Sequence, residues 1–149
     1  MLRWGEFEEA APEIAAAGRE LCTQHGVGLA YLGTVRADGG PRIHPMCPVF
    51  DRGGLYAFIV PSPKERDLRR DGRYAMHAFP ADELDDEFMI RGVAREVGAG
   101  EVREALAANY RAVLPDGSSL FEFLVDRALL SRYRFRGDWP PSYSVWRAP

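Results

Sequence analysis

Lys64 is the only lysine among the 19 basic residues of this 149-residue chain; the other 18 are arginine. It sits in Ser62-Pro63-Lys64-Glu65, a dense helix-start signal. Ser62 is a good N-cap, Pro63 fits the first helical position, and Glu65 completes a capping box three residues on. Asp67 adds favourable negative charge near the helix start. Lys64 alone opposes the helix dipole, at a cost of about 0.3–1 kcal/mol. An anion at the helix start would offset that cost, because free N–H groups and a compact ammonium together suit a phosphate. Arg42 begins the 42–50 strand, directly after a hairpin turn, so an arginine fork and a lysine lie on adjacent hairpin-linked segments. This pair is the candidate phosphate site.

Other reactive residue types organise less well. Cys22 and His25, and His44 and Cys47, have short spacings that invite a metal reading. Residues 44 and 47, however, are three apart on a strand and point to opposite faces, so no metal site is expected. His25 reads as a cation at a helix C-terminus, and His77 as a satisfied core or interface histidine. Arg66, Arg69, Arg70 and Arg73 read as a solvated helix face paired with Asp67 and Asp71. The sequence has no serine-histidine-aspartate order, phosphate-binding Walker loop or dinucleotide glycine fingerprint.

The elements that must position these residues follow from periodicity. Residues 5–25 read as helical with a restart at Pro12, closed by Gly26. Strands are expected at 27–36, 42–50, 55–60, 73–79, 88–97, 128–136 and 142–147, with an Asp-Gly hairpin turn at 37–40 and another turn at 51–54 between the first three. Pro45 and Pro48 make the 42–50 strand an edge, bulged or irregular one. Helices are expected at 63–70 and 100–114, and a short one at 118–125. The outcome is α+β: a small antiparallel split β-barrel of six to seven strands with flanking helices, whose closure would remove sheet edges.

Composition supports one domain spanning 1–149. The net charge of −3 gives no global pull toward nucleic acid or an anionic membrane surface. No apolar run approaches the ~20 residues of a membrane helix. The acidic N-terminal segment lacks signal-peptide features, and two cysteines make no disulfide framework. A cytoplasmic setting with reduced thiols is expected.

From Tyr31 to Val97 the chain resembles the flavin-binding split-barrel family typified by pyridoxamine 5′-phosphate oxidase. The resemblance rests on order and spacing: an Arg-led strand (Arg42), a hairpin, an apolar strand, Ser62-x-Lys64 opening a helix, then Asp71-x-Arg73-Tyr74 and a further strand. It implies a homodimer with the cofactor at the interface. It also implies that Arg42, Ile43, His44, Pro45, Met46 and Cys47 line the flavin. The next strand, at Ala57, Phe58 and Ile59, would border the ring or ribityl chain, while Ser62 and Lys64 hold its phosphate. Glu87 stands where the oxidase tends to carry an amide, and one of Trp139, Tyr143 and Trp146 would cover the ring.

Cys47 replaces the lysine that ends the oxidase strand, and the C-terminal Arg-x-His pairing of the oxidase has no counterpart. The smaller FMN- or deazaflavin-using members are therefore the better match. The expectation is an FMN-dependent oxidoreductase acting on a small molecule. A deazaflavin-dependent reductase, a non-catalytic flavin-binding sensor and a cofactor-free interaction module stand as alternatives.

Overall fold

The computed structural model describes residues 1–110 and 113–149. Helices α1 (Trp4–Ala10) and α2 (Pro12–Thr23) precede strands β1 (Ala30–Val35), β2 (Pro41–Met46), β3 (Val49–Asp51) and β4 (Gly54–Ile59). Then come α3 (Pro63–Arg70), β5 (Arg73–Ala78), β6 (Glu87–Val97), α4 (Glu101–Ala108), β7 (Ser119–Arg132) and β8 (Ser142–Arg147). The strands pair antiparallel in the order β2-β1-β5-β6-β7-β4-β3, and β8 adds to β7. The α+β split-barrel expectation holds. There are eight strands rather than six or seven, because the expected 42–50 strand divides at Cys47–Pro48.

That division also shapes the sheet. β2 and β3 lie at opposite ends of the strand order, yet only two residues separate them in the chain. Met46 and Val49 are three residues apart, so their Cα atoms stand within roughly 10 Å. The sheet must roll until its ends approach. Covalent chain bridges the seam in place of ladder hydrogen bonds, so the hydrogen-bonded closure expected from the sequence is absent among the described residues. Pro45 and Pro48, which have no N–H to donate, sit at this seam.

Two sequence expectations fail around β7. Residues 118–125 are not a helix: they begin a 14-residue strand, which ends at Arg132 rather than at 136. Phe121, Phe123 and Val125 enter the main core, while Leu120 on the opposite face joins Tyr56 and Leu106 under α4. Burial on both faces removes the alternation that marks a strand, leaving an apolar run that mimics a helix. After Arg132 the chain turns away, and Asp86 accepts the Tyr133 N–H at 2.8 Å. The helix expected over 100–114 ends at Ala108; residues 109, 110, 113 and 114 are not helical, and 111 and 112 lie outside the described residues.

The N-terminal helices close one side of the core. Trp4 and Phe7 are fully buried, and Trp4 packs edge-on against Phe50 at 4.7 Å and Phe7 at 5.2 Å. The break expected at Pro12 occurs at Ala11, which leaves helical geometry. A Cβ on Gly18 would stand 2.3 Å from the Phe88 ring, so only glycine lets α2 approach β6 this closely. No helix among the described residues is long and apolar enough to cross a membrane.

Candidate functional site

α3 lies across the end of the barrel where β1 ends and β2 begins. Its N-cap is Ser62, whose hydroxyl accepts the Glu65 N–H at 3.4 Å, as the sequence implies. The reciprocal half of the expected capping box is not made. The buried Glu65 carboxylate instead accepts the Ser119 hydroxyl at 2.7 Å and pairs with Arg69 at 3.2 Å. Burying that carboxylate requires partners from within the fold, and β7 supplies one.

Asp67 is the pivot of this region. It is 3% exposed and receives three donors: Thr34 Oγ1 at 3.0 Å, Arg42 Nε at 2.7 Å and Arg70 Nη1 at 3.3 Å. Burial alone would raise the pKa of this carboxyl. The hydrogen bonds from Arg42, Thr34 and Arg70 outweigh burial and hold it below its usual value. Arg42 thus meets a carboxylate through Nε, leaving its two Nη groups without a protein acceptor among the described residues.

Lys64 reaches back to β2 and donates from Nζ to the Pro45 carbonyl at 3.3 Å. Burial lowers its pKa, partly countered by Cys47. His44 lies near both cations. Its pKa is lowered first by burial and then by the charges of Lys64 and Arg42. Its Nε2 is buried with no hydrogen-bond partner.

Strand alternation sorts the remaining β2 residues. Arg42, His44 and Met46 turn inward, whereas Ile43, Pro45 and Cys47 are exposed. Met46 belongs to the core, as does Ile59 at the end of β4. The side chains of both are committed to packing, which leaves only their backbones for a ligand. Phe58, on the other face of β4, packs edge-on against Tyr110 at 5.1 Å, with the Arg103 guanidinium 5.6 Å from its ring centre. Glu87 is exposed at the start of β6 opposite Ser131, away from α3. Trp146 packs against Phe7 at 4.8 Å, whereas Trp139 and Tyr143 are exposed.

The basic run after Lys64 pairs partly as expected. Arg70 meets Asp67 and Arg73 meets Asp71 at 2.6 Å, the latter contact pushing the Asp71 pKa down to about 2. Arg69 instead reaches Glu96 at 2.6 Å. His25 lies 3.7 Å from Asp82, and no cluster of three metal-ligand residues forms among the described residues.

The structure therefore joins Arg42, His44, Ser62 and Lys64 at one place and leaves Phe58 under α4. Sequence reading missed Thr34, and it gave Asp67 a helix-dipole role and a pairing with the arginines of α3 but not its contact with Arg42. The Arg42–Asp67 pair spans 25 residues, and its one sequence signal is a strand lead and a helix start competing for the same end of the barrel.

No family model and no curated protein matches this chain. Solved structures do match in fold. One is a Clostridium acetobutylicum protein related to general stress protein 26 of the pyridoxinephosphate oxidase family. It is 12% identical with TM-score 0.62, and the match covers 96% of this chain and 95% of that one. Another is HutZ, the heme storage protein of Vibrio cholerae, 16% identical with TM-score 0.60, covering 78% and 89%. A third is a heme-binding protein of Mycobacterium smegmatis, 17% identical with TM-score 0.62, covering 89% of this chain; the chain spans only 57% of that protein. The fold expected from the resemblance is the fold these proteins share.

Proposed function

We propose that this protein binds a phosphate-bearing flavin, FMN in the first instance, and serves as a flavin-dependent oxidoreductase. One observation carries the reading: the partnerless, buried Nε2 of His44 belongs to a ring near both the Lys64 and Arg42 cations. A buried ring nitrogen in such a place calls for a partner, an acceptor when Nε2 carries the proton, and two adjacent cations call for an anion. A phosphate meets both demands. Lys64 Nζ, the free Nη groups of Arg42 and the Ser62 end of α3 would hold it, with His44 donating from Nε2. The bound flavin would supply hydride or electron transfer. The chain's residues anchor the phosphate and fix where the ring lies.

Deazaflavins also carry phosphate and stand as the alternative cofactor. The heme-binding neighbours raise heme as a further candidate. Two cations beside His44 disfavour it as a ligand to cationic iron, while they favour an anion.

The partner in this reading is a second copy of the chain. Across six strands the residues Pro45, Tyr31, His77, Met89, Leu129 and Val145 are register partners in one row on the outer face. Ile43, 69% exposed, lies beside that row. Pro45 is also the residue whose carbonyl holds Lys64, so a dimer on this face would border the cofactor site.

The test is the absorbance spectrum of the purified protein, mass identification of any released cofactor, and thermal unfolding with added FMN. A flavin spectrum is expected, with the protein sedimenting as a dimer. FMN at a hundredfold excess over Kd should stabilise the fold by about 2.7 kcal/mol. Colourless protein with no thermal shift in FMN sinks the reading. A heme spectrum replaces it, and a shift with deazaflavin alone transfers it to the alternative cofactor.

A further inference from the structure

A second cluster of arginines includes Arg42. Between the β1–β2 turn and the outer face of α3 is a cleft of about 370 Å³ lined by Arg36, Asp38, Arg42, Arg66, Asp67 and Arg70. Lys64 is not among its lining residues.

Four guanidiniums face two carboxylates here, an excess of two positive charges. The carboxylates are already engaged. Both oxygens of Asp67 are taken, Oδ1 by Arg70 and Oδ2 by Thr34 and Arg42. Asp38 pairs with Arg36 at 2.8 Å and accepts the Gly40 N–H at 3.0 Å, which fixes the turn. The donors are not exhausted. Among the described residues Arg66 has no ion pair, and Arg36 pairs only with Asp38.

The inner wall is rigid. Asp67 is almost fully buried and pins two of the four arginines, while Arg70 also donates to the Val35 carbonyl. Held guanidinium forks bind phosphate and carboxylate with less ordering cost than free side chains. A solvated arginine face would show neither a concave wall nor a buried carboxylate aligning it.

We propose that this cleft binds an anion carrying two or more phosphate or carboxylate groups, separately from the cofactor phosphate at Lys64. The charge excess calls for at least a dianion. The volume exceeds what one phosphate fills and reaches the lower range of small-ligand pockets, roughly 300–1,000 Å³. The site does not depend on the flavin reading, although Arg42 borders both places.

Calorimetric titration at fixed ionic strength tests this with tripolyphosphate, citrate and orthophosphate, against the natural protein, an Arg36→Ala/Arg66→Ala double variant and Lys64→Ala. Both arginines are exposed, so their loss leaves the core untouched. Tripolyphosphate or citrate should bind the natural protein and Lys64→Ala equally, and at least about tenfold (1.4 kcal/mol) more weakly to the double variant. Orthophosphate should not bind in the cleft. The proposal is overturned if neither polyanion binds, if orthophosphate binds Lys64→Ala as well as they do, or if Lys64→Ala loses binding while the double variant keeps it. FMN titration of the same variants separates the two sites: the double variant should keep its FMN affinity whatever becomes of the cleft.

Discussion

Two arginine–carboxylate networks of this protein use the same residue types to opposite ends. On one side of the barrel, Glu122 is 3% exposed and accepts Arg3 Nε at 2.7 Å and Arg95 Nη2 at 2.6 Å; Arg3 also donates to the Tyr56 hydroxyl at 2.9 Å. That network is closed, because every charge placed near the core has its partners. On the α3 side, Asp67 is equally buried and equally well satisfied, but the groups around it are not. His44 Nε2 lacks a partner, Arg42 keeps free donors, and Arg66 is unpaired among the described residues. Satisfied networks hold elements together, whereas surplus donors mark a place awaiting something else.

The largest effect should come from breaking the closed network. Arg3→Ala combined with Arg95→Ala leaves the Glu122 carboxylate buried without a counter-charge, at about 3 kcal/mol or more. Chemical denaturation at pH 7 measures this, and the double loss should exceed the sum of the single ones. The pH dependence follows from the direction of the shift. Burial would raise the Glu122 pKa, but the hydrogen bonds from Arg3 and Arg95 hold it below its usual value. In the natural protein Glu122 therefore contributes stability above about pH 4.3, lost as pH falls through the folded-state value. In the double variant burial acts unopposed and raises the pKa, so the stability gap between the two proteins should narrow on acidification. A gap that is constant with pH would mean that the network does not stabilise through Glu122.

A smaller, differently shaped effect is expected at the open network. Lys64→Ala should weaken FMN about tenfold or more, equivalent to roughly 1.4 kcal/mol. The unliganded fold should keep its stability or gain up to about 0.3–1 kcal/mol, since a cation leaves the positive end of α3. Fluorescence titration and thermal unfolding give the two readings. Lost stability with unchanged affinity would make the open network merely structural.

The smallest effect is the most local. His44 should titrate below the ordinary histidine value in the unliganded protein, for want of solvent and beside two cations. An anion bound there favours the imidazolium, so its pKa should rise on adding FMN. It should also rise, by less, in unliganded Lys64→Ala. Imidazole chemical shifts across pH follow both changes; a His44 pKa indifferent to FMN would place the phosphate elsewhere.

Local chemistry was legible wherever it was decided within a few residues. Ser62 and Pro63 announce the start of α3, Pro12 the helix restart, and Pro45 and Pro48 an edge strand that cannot complete a ladder. The order Arg42, Ser62, Lys64 carried the split-barrel resemblance, because the strand–turn–helix that frames it is itself local. β7 was misread because both of its faces are buried, and a strand with two cores has no period of two to read. The capping box was half wrong because Ser119, 54 residues away, offered the Glu65 carboxylate a better donor.

The sequence by itself determined the helix starts, the breaks at proline and the isolation of one lysine among arginines, since each depends on backbone preferences spanning a turn or less. Tertiary structure alone decided that Asp67 would hold Arg42, that His44 would be left with a buried, unpaired nitrogen near two cations, and that the ends of the sheet would meet at Cys47–Pro48. Those outcomes depend on which strands lie side by side, and pairing across tens of residues is fixed by burial of the whole core rather than by any local run.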